Sequence, residues 1–340
     1  MTTPVTVRYP RTLTLILALV ALCGTLVVLE GAFRAARFIL RGANSLVTVD
    51  DPELGWVHNI QRPRVVRLNS CGEETVTLPA PSPYLIRVPQ QRDGRRILFL
   101  GDSSTHAHEV STGAAYYDTV EAMGQGKYSI WAAGVGGYGN LQEYLLLGKV
   151  YDEVRPAIVV WQLDSNDIVN NVYRLDSGTI LNNVKPRPYM DPDTGVIDVR
   201  DPGLLLFKAS QGARYLLPQF VGLDIRLKLG LVSAIERWIG PAPDERPALV
   251  QQGLRVLERV LTEAVERYPQ TRFVGFSISS GDDAEYAKIF ARHHAEYWPN
   301  FAARVRASDE RTDCLPWDGH WNHAGNRVAG RLIADLLETR

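Results

Sequence analysis

Residues 96–105 read RILFLGDSST, and how the apolar run ends decides the fold. Ile97 to Leu100 break abruptly into Gly-Asp-Ser-Ser, which fits either a strand feeding an ordinary capped turn or a strand presenting a nucleophile. Ser, Thr and Asp are favoured helix N-caps because their side-chain oxygens accept from free backbone amides, so Ser103 or Ser104 as a simple cap is the first alternative. The texture recurs downstream. Apolar runs at 97–100, 128–133, 158–163 and 272–278 alternate with helix-like stretches near 115–123, 141–151, 246–268, 282–294 and 324–338. Continuous apolar strands separated by helices indicate a parallel sheet covered on both faces, so the expected fold is α/β in three layers.

In an open parallel sheet, ligands sit at the carboxyl ends of the strands. The first strand ends in Gly101-Asp102-Ser103-Ser104, the second in AGVGGYG at 133–139, and the third in Asp164-Ser165-Asn166-Asp167. WDGHWNH at 317–323 comes just before the last helix. A nucleophile, a glycine-rich turn, an amide donor and an acid with a base thus fall on one edge.

Nearer the N-terminus, residues 13–29 (LTLILALVALCGTLVVL) carry no charge. Seventeen residues at about 1.5 Å each, with their flanks, just span a hydrocarbon core of roughly 30 Å, so a transmembrane anchor is expected. The following GAFRAARFILRG offers no small-x-small cleavage site, and Leu22 before Cys23 does not suit a lipoprotein signal, which favours an uncleaved anchor. Arg8 and Arg11 on one side face Arg34, Arg37 and Arg41 on the other, so arginine counting does not orient it.

The predicted organisation is a tip and anchor over 1–41, a stalk with small β pieces such as RVVRLN and ETVTLP over 42–95, and a catalytic domain over 96–340. An insertion at about 168–244 contains a hairpin around Asp193, Thr194 and Gly195 and two helical pieces, 204–217 and 224–240. The 340-residue chain has net charge -1, with 37 basic and 38 acidic residues, which gives no electrostatic footprint for nucleic acid. Of its three cysteines, Cys23 lies in the apolar run. Cys71 and Cys314 form a disulfide if the domain lies outside the cytoplasm and are ordinary thiols otherwise.

The four strand-end blocks, in this order, resemble those of the SGNH or GDSL-like serine hydrolases. The resemblance implies that Ser103 is the nucleophile, that the backbone amides of Ser103 and Gly137 and the side chain of Asn166 form the oxyanion hole, and that Asp318 and His320 complete the triad. The anchor followed by RLNSCGEE is similar to a bacterial membrane-tethered subgroup, implying a domain outside the cytoplasm. Ala132 stands where the second block often has Asn, and Asp164 where the third usually has Gly. The two-residue spacing of DGH is similar to that of polysaccharide O-acetyltransferase relatives, so transfer to a glycan stands beside hydrolysis.

A serine hydroxyl needs a base within hydrogen-bond reach and a group to orient that base. His, with an ordinary pKa near 6.5, is suited to the task, and a carboxylate holding one ring nitrogen protonated leaves the other to accept the serine proton. No metal or organic cofactor is required by this chemistry. Asp313 is the alternative orienting acid, and His323 falls at the start of the last helix. His106 and His108 are read as surface residues or pocket walls rather than metal ligands, and Tyr138 either lines the acyl pocket or packs on the sheet. Two rivals remain. Gly134, Gly136 and Gly139 spell a literal G-x-G-x-x-G between a strand and a helix, the form of a dinucleotide-binding turn, and a catalytically dead glycan-binding protein is the other.

Overall fold

The computed structural model describes residues 11–41, 47–69, 71–90, 93–179, 185–202, 236–279, 281–313 and 320–339. Two compact units are distinguished, 1–43 with 204–232, and 44–203 with 233–340. In the first unit, a helix covers Arg11–Arg41, and its side chains from Leu15 to Leu29 are exposed. The expected membrane crossing coincides with this helix, yet among the described residues no helix is long and apolar enough to cross a membrane.

The second unit begins with two antiparallel hairpins. β1 (Thr48–Asp51) pairs with β2 (Gly55–His58), and β3 (Val65–Leu68) with β4 (Glu74–Thr77). Its central sheet contains β5 (Arg95–Gly101), β6 (Tyr128–Gly134) and β7 (Ile158–Leu163). A further antiparallel pair comes next in the chain, β8 (Arg187–Met190) with β9 (Ile197–Arg200). The sheet is completed by β10 (Arg272–Ser277) and β11 (Glu296–Trp298), in the order β11-β10-β7-β5-β6 with every pairing parallel.

Side chains alternate along these strands. Leu98, Leu100, Trp131, Ala133, Val159 and Trp161 join one apolar cluster with the helices Asn140–Val154 and Arg246–Arg267. Ile97, Phe99, Ile130, Ala132, Ile158 and Val160 join the other with Tyr116–Gly124 and His323–Glu338. A strand buried on both faces needs apolar residues at every position, which is why the runs are continuous. Along the sheet the chain steps from β5 to β6, then returns to the far side of β5 as β7. The crevice at the carboxyl ends of β5 and β7 is therefore the topological switch point, the expected place for a ligand.

The β8–β9 hairpin turns at Asp193, Thr194 and Gly195 as the sequence suggests; Asp191 Oδ1 accepts from the amides of Asp193 and Thr194 at 2.8 and 3.1 Å. Of the helical pieces expected in the insertion, residues 236–239 are helical and 203–235 lie outside the described residues. The edge strand β11 and the short helix Phe301–Arg306 have no counterpart in the sequence reading. Three residues, Glu-Tyr-Trp, make no apolar run, and Glu296 pairs with Arg272 of the neighbouring strand. Of residues 42–95, read as a stalk with β pieces, those from 44 onward fall in the second unit, and β2 is buried at all four positions. Cys71 is disulfide-bonded, and Cys314 lies outside the described residues.

Candidate active site

The turn after β5 is shaped by one buried amide. Gln162 Oε1, from the end of β7, accepts from the backbone of Asp102 and Thr105 at 3.3 and 3.2 Å and from Thr105 Oγ1 at 3.0 Å. Gly101 permits this approach, since a Cβ there would stand 2.4 Å from both Gln162 Oε1 and Thr105 Oγ1. Asp102, fully buried, is the N-cap, with Oδ1 accepting from the Ser104 amide at 3.1 Å. Neither serine is the cap, which leaves the Ser103 hydroxyl for other work.

Ser103 Oγ lies 2.9 Å from His320 Nε2. Its other neighbour is Asp102 Oδ2, at 3.3 Å, which also accepts from Asn166 Nδ2 at 3.1 Å. The structure thus brings Ser103, His320 and Asn166 together, and an open cleft of about 530 Å³ is lined by these three with Gly136, Gly137 and Asp164. Asp318 lies outside the described residues. Asp313, its alternative, faces Arg306, with Oδ2 3.8 Å from Nε.

Gly137 sits at φ +81°, a backbone conformation that glycine adopts without strain. Its carbonyl accepts from Arg187 Nη1 at 3.0 Å and Asn170 Nδ2 at 3.2 Å, while the Gly136 carbonyl accepts from Trp56 Nε1 at 3.2 Å. A Cβ built on Gly136 would stand 3.8 Å from Ser103 Cβ, so this turn passes directly beside Ser103. The dinucleotide reading meets an obstacle here. Two of the amides at the start of the Asn140–Val154 helix, where a pyrophosphate would bind, are taken by protein groups: Gly139 donates to Gln142 Oε1 and Leu141 to Asn171 Oδ1.

Beneath the site lies a group of buried carboxyls. Glu143, fully buried, is pushed up to about 8 by burial and then by the nearby Asp102, although Trp161 Nε1 and Asn140 Nδ2 donate to its Oε2 at 2.8 and 3.1 Å. Asp167 is raised by burial first and then by the Glu143 carboxyl. Asp164, half-buried on the cleft floor, is pushed up to about 6 by burial and by Asp102, against the opposing effect of His320.

Two further histidines, His106 and His108, line the cleft. His106 is buried and held well below the usual imidazole range, by burial first and then by His58 and His108. Its ring lies 4.8 Å from that of His58 and 5.6 Å from His108, whose ring is in turn 5.6 Å from His320. Among the described residues no group of three or more His, Cys, Asp or Glu is arranged to hold a metal. His323 begins the last helix and bonds Glu73 through Nδ1 at 2.8 Å, tying that helix to the start of β4. Tyr138 is fully buried, its hydroxyl donating to the Trp56 carbonyl, so it packs beneath β2 rather than lining the cleft.

Sequence reasoning missed Gln162, Trp56, His58 and Arg187. For Gln162 the signal was present, a lone polar residue inside IVVWQL. For the others there was none, because they come from outside the sheet and reach the site only through folding.

No protein-family profile and no curated protein matches the chain. Solved structures to which it is similar include the crystal structure of TesA, with TM-score 0.41 and 14% identity over 72% of this chain and 98% of that one. The lipase/acylhydrolase from Enterococcus faecalis has TM-score 0.40 and 12% identity over 72% and 96%. The psychrotrophic esterase EstA from Pseudoalteromonas sp. has TM-score 0.39 and 12% identity over 72% and 97%.

Proposed function

We propose that this chain is a serine esterase of the SGNH type, cleaving an ester through an acyl-enzyme intermediate. The observation that carries the proposal is the 2.9 Å approach of His320 Nε2 to Ser103 Oγ across 217 positions of sequence, at the sheet's switch point. His320 takes the hydroxyl proton as Ser103 Oγ attacks the ester carbonyl. Negative charge then develops on the carbonyl oxygen, where the amides of Ser103 and Gly137 and the side chain of Asn166 donate to it. Collapse expels the alcohol, which receives the proton from His320. Water then repeats the sequence on the acyl-enzyme, releasing the acid and restoring Ser103. Asp318 is the proposed carboxylate on the second ring nitrogen.

For the substrate we propose an O-acyl group on a cell-envelope glycan, with the domain held outside the cytoplasm by the Arg11–Arg41 helix as a membrane anchor. Two observations support that location. Large apolar side chains along the helix are uncovered, Leu15 at 70% and Val27 at 72% exposure, and the disulfide at Cys71 suits an oxidising compartment.

A fluorophosphonate probe tests both parts in membranes carrying the full chain. It labels the wild type, the label stays in the pellet after carbonate washing, and Ser103→Ala and His320→Ala lose it. Equal labelling of Ser103→Ala overturns the nucleophile, and release of the labelled chain by carbonate overturns the anchor.

A further inference from the structure

Trp56 belongs to the hairpin that the sequence presents as part of a stalk, yet it bonds the glycine turn beside the nucleophile. We propose that Trp56 is a positioning residue for the oxyanion hole, an assignment that rests on the serine-esterase function. It acts by fixing the Gly136–Gly137 peptide.

A trans peptide is planar, with its C=O and N–H pointing to opposite sides. The amide donor assigned to Gly137 belongs to the same peptide unit as the Gly136 carbonyl. Trp56 Nε1 donates to that carbonyl at 3.2 Å, so holding it aims the Gly137 N–H away from the indole. The next peptide is held as well, through the Gly137 carbonyl bonded by Arg187 and Asn170. Two adjacent glycines would otherwise leave this turn the most freely rotating backbone beside the nucleophile. Among the described residues no group accepts from the Gly137 amide, which leaves it available to a substrate oxygen.

The hairpin is built for this contact. In β2, Trp56 and His58 stand two residues apart and so project to the same face. They meet carbonyls two residues apart, Gly136 for Trp56 and Gly134 for His58, the latter at 2.8 Å. A carbonyl only accepts, so His58 Nε2 carries the proton. Burial lowers His58 to about 4, and the ring is neutral at neutral pH. Trp56 is itself immobilised. It is 1% exposed, its ring meets Tyr138 edge-on at 5.5 Å, and the Arg187 guanidinium lies 5.0 Å over it. Arg187 therefore contacts both the indole and the Gly137 carbonyl, joining the β8 segment to the same brace.

The test is Trp56→Phe in the full chain, assayed on p-nitrophenyl acetate. Loss of the N–H leaves the donor present but less well aimed, so kcat falls about 10-fold with KM nearly unchanged, below the ~10²–10³ of a deleted donor. Affinity for phenylboronic acid, whose tetrahedral adduct puts an oxygen in the same hole, falls in parallel. Should Trp56→Phe fail to fold, benzothienylalanine placed at position 56 keeps the ring's shape without its N–H and shows the same split. A kcat and boronate affinity within about twofold of wild type in a folded variant overturn the proposal, being far smaller than the loss of any oxyanion donor. Turnover persisting in Ser103→Ala instead overturns the esterase function beneath it, which separates the two failures.

Discussion

Asn166, proposed as an oxyanion donor, is the residue whose replacement tests that assignment most directly. Its Nδ2 donates to Asp102 Oδ2 at 3.1 Å in the resting site and would turn to the ester oxygen as charge develops there. In Asn166→Ala that donor is lost, and kcat falls by about 10²–10³, or roughly 3–4 kcal/mol at 1.36 kcal/mol per decade. The buried Asp102 carboxylate also loses a partner, so stability falls by about 1–3 kcal/mol. Asn166→Asp is the sharper perturbation because it keeps the shape and removes the donor. Two unit charges 3.1 Å apart repel by about 5 kcal/mol at an effective dielectric of 20, which forces one of the pair to hold a proton at neutral pH. Asn166→Asp is therefore slower than Asn166→Ala at pH 8 and recovers relative to it as pH falls towards 5. Steady-state hydrolysis of p-nitrophenyl acetate, paired with thermal unfolding of each variant, reads both effects. If Asn166→Ala keeps kcat within about threefold of wild type while Ser103→Ala is dead, Asn166 is no oxyanion donor and the assignment of the third block fails.

Two more outcomes concern the buried carboxyls. Glu143 is raised from 4.5 to about 8 in the folded chain, so between those values the folded state binds more protons than the unfolded. Its contribution to stability is full below 4.5 and is lost as pH rises through 8. Glu143→Gln keeps an acceptor for Trp161 and Asn140, and denaturant titrations at pH 5 and 8 will show a smaller loss of stability with pH than in wild type; an unchanged loss refutes the assignment. Asp164, which lines the cleft and is pushed up to about 6, becomes negative beside the proposed oxyanion hole as pH rises. Asp164→Asn removes that opposition, so kcat rises a fewfold at pH 8 relative to wild type and is little changed at pH 5, as a pH–rate profile will report; a parallel profile at all pH values contradicts it.

Much of the sheet was legible because its strands are buried on both faces. Runs such as ILFL and IVVWQL, short and bounded by turn residues, fit a fully buried strand, and β5, β6, β7 and β10 begin and end within a few residues of the expected positions. The edge strand β11 escaped notice because an edge needs no apolar run, and Glu296 there meets Arg272 across the pair. The cap alternative at the first block was decided by one hydrogen bond, Ser104 N to Asp102 Oδ1. Sequence pattern had no means of choosing among Asp102, Ser103 and Ser104, all of them good caps.

The α/β alternation, and the residue types that stand at the strand ends, are written in the chain itself, because burial periodicity and turn chemistry are local properties. That His320 meets Ser103, that Gln162 holds the turn, and that Trp56 and Arg187 grip the two glycine peptides from segments outside the sheet became visible only in three dimensions. Those contacts join positions up to 217 residues apart. Hydrogen bonds are set by distances of about 3 Å, and no local pattern encodes which distant segments approach that closely.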